Sequence, residues 1–278
     1  MELNTLLQYK PYSTARPEKR ALYAGLLTEL TQFHRERCPE YGRLLDALGC
    51  PAHMDCTVEN TPMLPVSLFK ELELRSIPEG EVFKTITSSG TTGQRVSRIF
   101  LDGATSACQQ QALCQIMSDF LGERRLPFLV LDSRQVLRNR AMFSARGAGI
   151  LGFSIFGTRP CYALDEHMEL DLDGVRAFLE EHQGETIFLF GFTFMIWKHV
   201  VRALEERGER LDIPNGILVH GGGWKKLAGE AVSPGEFKAR VAAATGVERV
   251  SNYYGMAEQT GCIYICLLYT SDVADDKA

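Results

Sequence analysis

Apolar positions fall into two rhythms along the chain. In residues 17–38, Leu22, Leu26, Leu27, Leu30 and Phe33 recur at helical spacing, with Ser13-Thr14 available as a cap and Pro39 beyond the end. A second helix is predicted over residues 41–48, stopped by Gly49, and a short third over residues 68–74. Residues 50–65, rich in Pro, Asp, Thr and Asn, read as loop. Beyond Leu74 the rhythm changes. Strands are predicted over residues 83–87, 96–101, 128–131, 187–190, 217–219 and 250–254, alternating with helices over 106–121, 172–182, 194–208 and 234–245. Several of the runs are apolar without alternation, which suits strands buried on both faces. The expected fold class is therefore α/β, with sheets covered by helices. Residues 145–152, ARGAGILG, are rich in small residues yet too apolar for a solvated tether.

Composition narrows this reading. The 278 residues, 45% hydrophobic and 23% charged, exclude bulk disorder and can bury a core without staples. With roughly 150 residues to a typical domain, one large domain with a smaller attachment is the simplest arrangement. No apolar run approaches the roughly 18 residues of a membrane span. The first residues, Met1-Glu2-Leu3-Asn4, show no secretory signal, so a cytoplasmic location is expected. A net charge of −5 disfavours a nucleic-acid partner, and the basic patches at residues 134–146 and at Lys225-Lys226 are short. Eight cysteines form no CxxC pair, and Cys50, His53 and Cys56 lack a second cluster to complete a zinc pattern. They are expected to be reduced thiols.

Three segments carry candidate chemistry. In Thr87-Ser88-Ser89-Gly90-Thr91-Thr92-Gly93, five of seven positions bear hydroxyls beside glycines. Such a loop can offer O–H and N–H donors to phosphate, or can simply turn a hairpin. No Walker lysine follows, and residues 96–100 look like strand rather than helix. The second segment is His220-Gly221-Gly222-Gly223-Trp224-Lys225, after the apolar strand Ile217-Leu218-Val219. Its glycines would admit a flat ligand against the backbone or make an ordinary turn, and His220 reads more readily as structural than as a base. The third is Ser251-Asn252-Tyr253-Tyr254-Gly255-Met256-Ala257-Glu258-Gln259. Here Tyr254 could stack on a base and Glu258 could hold Mg²⁺, against the alternative of a strand end with a solvated acid. Phe190, Phe192, Phe194 and Trp197 either line an apolar slot or pack the core, with packing the simpler account. All three segments fall at predicted strand ends, where open α/β sheets bind ligands.

Together these segments resemble the adenylate-forming enzymes, the superfamily of the acyl-CoA synthetases. Within it, Leu64-Pro65-Val66-Ser67-Leu68-Phe69-Lys70, Phe83-Lys84 and Asn252-Tyr253-Tyr254-Gly255-Met256-Ala257-Glu258-Gln259 resemble the acyl-protein synthetase family of the bacterial luminescence fatty-acid reductase complex. The likeness spans about residues 10–265. It implies the large N-terminal domain of an adenylate-forming enzyme, using ATP and Mg²⁺ to convert a carboxylic, plausibly fatty, acid to acyl-AMP and then to a thioester on a protein thiol. By that resemblance Ser88, Ser89, Gly90, Thr91, Thr92 and Gly93 would hold the β- and γ-phosphates. Gly221, Gly222 and Gly223 would contact adenine, Tyr254 would stack on it beside Gly255 of the same nucleotide-binding segment, and Glu258 would ligate Mg²⁺.

Ala257 stands where most of the superfamily has a threonine. The family's C-terminal lid with its lysine, and the acyl-carrying thiol, are expected beyond Glu258, so no residue of this chain is assigned those roles. The segment 266–278 resembles a translated sequencing adapter, against the alternative of a genuine polar tail. The domain is therefore expected to run over residues 1–265 of a truncated product, with 266–278 non-native. A partner protein for acyl transfer or reduction is also implied. The rival readings are an acyl- or aryl-CoA ligase and a non-catalytic nucleotide- or acyl-binding module. A P-loop kinase is disfavoured for want of the lysine.

Overall fold

The computed structural model describes residues 7–10, 13–88, 95–137, 145–259 and 263–265. The segment 266–278 lies outside them. The chain divides into two compact units, Met1–Phe120 with Gly255–Ile263, and Leu121–Tyr254 with Tyr264–Ala278.

The first unit opens with α1 (Arg16–Arg37) and α2 (Pro39–Ala47), each with proline in its first turn. Pro17 places the α1 start at Arg16, so Ser13 and Thr14 lie too far upstream to cap it. The residue at the cap is Ala15, and the Ser13 hydroxyl instead donates to the Lys10 carbonyl at 2.8 Å. Leu26 and Thr31 are the buried positions of α1, whereas Leu30 and Phe33 stay partly exposed, with the Arg37 guanidinium 4.2 Å over the Phe33 ring. Gly49 ends α2 as expected, at φ 71°, a left-handed conformation that glycine adopts without strain. The third helix, α3 (Leu68–Glu71), is a single turn. Next, β1 (Lys84–Thr87) and β2 (Arg98–Leu101) pair antiparallel, Ile86 opposite Ile99, as a two-stranded hairpin. The unit's last long helix is α4 (Gly103–Leu121).

The second unit is built on a six-stranded sheet. Its elements run β3 (Leu126–Ser133), α5 (Ala145–Phe153), β4 (Gly157–Leu164), α6 (Leu172–Glu181), β5 (Ile187–Phe192), α7 (Thr193–Ile196), a π-helical turn Trp197–Val201, α8 (Arg202–Arg207), β6 (Gly216–Gly221), α9 (Pro234–Thr245), β7 (Arg249–Tyr254) and β8 (Tyr264–Ile265). The spatial order is β4-β3-β5-β6-β7-β8, parallel throughout except for the β7–β8 pair. Every residue of β5 and β6 is buried, which is why their sequences lack polar alternation.

Phe128 and Phe188 stack at 4.9 Å, and Phe153 and Phe190 at 4.4 Å. Phe190 and Phe192 belong to this packing and Trp197 is buried against Trp224 and Phe237, so the core reading holds for those three, while Phe194 is half-buried. The sheet's outer edge, β4, carries exposed Arg159 and Pro160, and the proline blunts that edge against further pairing. Among the described residues no helix is long and apolar enough to cross a membrane.

Candidate functional site

The hydroxyl-rich segment begins at Thr87, the last residue of β1, and of it only Thr87 and Ser88 are among the described residues. The Ser88 N–H donates to the Ser97 carbonyl at 3.2 Å, and the Ser97 N–H donates back to Ser88 Oγ at 2.9 Å. Ser88 therefore closes the neck of the loop with its oxygen and keeps its own O–H to donate. Ser89, Gly90, Thr91, Thr92 and Gly93 lie outside the described residues. Ser97 itself is fully buried, and its Oγ has no partner among the described residues. Arg95 pairs with Glu71 at 2.7 Å and Arg98 with Glu73 at 3.4 Å, so the cations that follow the loop are already matched by carboxylates.

In the second unit, β6 delivers His220 and the three glycines to its C-terminal end. The Thr193 hydroxyl, from the start of α7, lies 2.9 Å from His220 Nδ1 and 2.8 Å from the Gly222 carbonyl. One hydroxyl proton serves both contacts if it goes to the carbonyl while Nδ1–H donates to the hydroxyl oxygen. Burial, with a smaller push from Lys238, holds the His220 pKa down at about 3. Neutral and packed 4.7 Å from the Phe237 ring, His220 is structural, as its sequence context suggested.

The glycines then separate by role. A Cβ at Gly221 would overlap the Tyr253 ring, which packs 5.0 Å from Phe153. Gly222 has φ 73°, and a Cβ there would sit 2.9 Å from Phe192 Cδ1. At Gly223 nothing lies within 4 Å of the added atom. Two of the three glycines thus answer to internal packing, and only Gly223 borders open space.

On β7 the two tyrosines face opposite ways. Tyr253 turns inward and is half-buried, and desolvation pushes its phenol up to about 12. Tyr254 is 60% exposed. Gly221 and Tyr253 are register partners, so the Gly222 turn leaves β6 beside Tyr254. Gly223 and Tyr254 are therefore placed where a flat ligand could lie at the C-terminal ends of adjacent parallel strands.

Gly255 and Glu258 belong to the first unit. The turn over residues 256–259 is closed by the Gln259 N–H donating to the Met256 carbonyl at 3.1 Å, and Glu258 is half-buried. Among the described residues no three His, Cys, Asp or Glu side chains gather to hold a metal. A cation at Glu258 would thus draw its remaining oxygens from a ligand and water.

The sequence reading missed a polar group at the same sheet edge. Asp132, at the end of β3 and wholly buried, accepts from Arg146 Nη2 at 2.9 Å and from the Ser133 N–H at 2.7 Å. Burial raises the Asp132 pKa against the opposing pull of Arg146. His199, on the π-helical turn, lies 2.9 Å through Nδ1 from the carbonyl of Met168, a residue at φ 66°. Burial lowers the His199 pKa. A polar residue directly after the apolar run Phe128-Leu129-Val130-Leu131 was the one available signal for Asp132; nothing local marked Arg146 as its partner.

The second unit is a parallel sheet with helical crossovers and polar residues at the C-terminal ends of its strands, a fold that adenylate-forming ligases share. Two solved structures share it, both of 2-hydroxyisobutyryl-CoA ligase. One holds 2-HIB-AMP and CoA in the thioesterification state and matches at TM-score 0.60 and 18% identity, over 91% of this chain and 55% of that one. The other, in the postadenylation state with R3-HIB-AMP, gives TM-score 0.57 and 15% identity over 91% and 54%. The chain thus spans about half the length of these ligases, and at such identities the likeness concerns fold alone. A family model described as Acyl-protein synthetase, LuxE, matches residues 2–271, and the chain belongs to that family. No curated protein sequence matched it.

Proposed function

We propose that the chain supplies the acid-activating part of an acyl-protein synthetase. A carboxylate oxygen of the acid attacks the α-phosphorus of ATP, the bond to the leaving pyrophosphate breaks, and acyl-AMP forms. A thiol then takes the acyl group and AMP departs. In this reading the acid is a fatty acid and the acceptor a protein thiol; the family's description, an acyl-protein synthetase, supports a protein as acceptor. The reaction would take place in the cytoplasm, with the acceptor or a reductase as protein partner.

The observation that carries the reading is the exposed Tyr254 at the end of β7, next to the open backbone at Gly223, in a chain of this family. Both features fit an adenine ring, one as stacking surface and the other as unobstructed main chain. Ser88 through Gly93 would donate to the β- and γ-phosphates. Glu258 would hold Mg²⁺, whose charge would offset that of the phosphates. Ala257 offers no hydroxyl to the α-phosphate, so that donor is either missing or supplied by a neighbour such as Gln259.

Acid-dependent exchange of labelled pyrophosphate into ATP tests the proposal, scanned over fatty, short-chain and aromatic acids. Exchange that requires a fatty acid is the expected result. Nucleotide binding without exchange for any acid would instead make this a binding module. Glu258→Gln should move the Mg²⁺ dependence of exchange to higher concentration, and an unchanged titration would remove Glu258 from the metal site. Thr91→Ala with Thr92→Ala should weaken ATP use by about 2–4 kcal/mol if both act as oxyanion-type donors. Unaltered exchange in that variant would remove the loop from the phosphate site.

A further inference from the structure

The pairing of β7 with β8 brings a residue to the nucleotide edge that none of the three motifs contains. In the antiparallel register Tyr253 faces Ile265 and Tyr254 faces Tyr264. Side chains alternate between sheet faces, so Tyr253, half-buried, and Ile265, buried, share one face. Tyr254 and Tyr264 share the other face, at 60% and 54% exposure. Directly opposed residues in such a pair have Cβ atoms about 5 Å apart, which makes them neighbours on one face of the sheet.

Because β8 runs against β7, its first residue lies at the strand end where Tyr254 and, one strand further in, Gly223 are found. Successive strands β6, β7 and β8 therefore offer open backbone, one exposed phenol ring and a second beside it. Ile265 is the buried residue of the two-residue strand, and the Tyr264 ring lies on its more exposed side.

We propose that Tyr264 is a second aromatic contact for the purine base of the nucleotide, forming with Tyr254 a two-ring surface at the end of the sheet. The proposal rests on the reading above that Tyr254 takes the adenine. The contact is one of ring on base, so it acts on the nucleoside moiety and leaves the phosphates alone.

Calorimetric titration of the full chain with ATP, AMP and inorganic tripolyphosphate tests it, using wild type, Tyr254→Ala, Tyr264→Ala and Tyr264→Phe. Stacking on one aromatic contributes enough that Tyr264→Ala should weaken ATP and AMP by about tenfold. Tripolyphosphate binding should be unchanged in every variant, and Tyr264→Phe should bind ATP like wild type. Wild-type ATP affinity in Tyr264→Ala, with a loss in Tyr254→Ala, would overturn the role of Tyr264 while leaving the nucleotide reading intact. An equal loss for tripolyphosphate in Tyr264→Ala would overturn it as a disturbance of fold, and a loss in Tyr264→Phe matching that of alanine would overturn stacking as the cause. If ATP does not bind wild type, the nucleotide reading itself fails and the proposal falls with it.

Discussion

A methyl group added at Gly221 would overlap the Tyr253 ring, whereas one added at Gly223 would meet nothing within 4 Å. Substitution can therefore separate packing from binding inside a single motif. Gly221→Ala should cost about 1–3 kcal/mol of folding stability through overpacking. Gly222→Ala should cost a similar amount, because φ 73° is strained for any residue with a Cβ. Gly223→Ala should leave urea midpoints unchanged yet weaken ATP binding; a stability loss equal to that of Gly221→Ala would refute the distinction. The motif itself was legible in sequence, but the division of labour was not, since it depends on which ring lies across the sheet from each glycine. His220 allows a pH test of the same strand end. Its pKa falls from 6.5 to about 3 on folding, so between those values the unfolded chain binds a proton that the folded chain refuses. Stability should therefore decline as pH drops through that window, by up to about 1.4 kcal/mol per pH unit. His220→Gln keeps a donor for Thr193 and removes the titration, so its acid limb should be flatter. Parallel stability–pH curves for the two proteins would show that His220 does not titrate in this way.

Elements with a uniform pattern were readable, and those that mix patterns were not. The sequence reading places α9 at its observed bounds and finds the central strands β5 and β6, because unbroken apolar runs flanked by turns leave few alternatives. It misses β4, where Arg159 and Pro160 interrupt the run, since an edge strand need bury only part of its length. It assigns no helix to α5, whose glycines lower helix propensity, although Gly149 lies close against Phe190 and Phe192, where a larger residue would crowd the rings. The predicted helix over residues 194–208 is present but interrupted by the π-helical turn that carries His199, a local departure that periodicity does not encode. The hairpin is legible in its strands, while the paired serine bonds at its neck are not. Ser88→Ala removes the acceptor of the Ser97 N–H and should cost about 1 kcal/mol. Hydrogen exchange at the Ser97 amide should accelerate in that variant, and unchanged exchange would mean that the neck is held by other groups.

At the scale of the whole molecule, the chain passes between its two units after Phe120, again after Tyr254 and again after Ile263. The Glu258 turn belongs to the first unit and lies along the chain between β7 and β8, which belong to the second. Stability should be distributed as unevenly as burial is. In β5 and β6 every residue is buried and each strand is paired on both sides, so exposing their amides requires the sheet to separate. β1 is exposed at three of its four positions, and it and β2 pair only with each other among the described residues. β8 has two residues and one neighbour. Local opening therefore has little to break at the hairpin and at β8, and much to break in the centre of the sheet. Amides of β5 and β6 should exchange only through global unfolding, with a free energy that falls as urea is added at the slope of the equilibrium transition. Those of β1, β2 and β8 should exchange orders of magnitude faster, with almost no urea dependence. Hairpin amides that track the global slope would show that β1 and β2 unfold only with the sheet, and that the two strands are as firmly held as its centre.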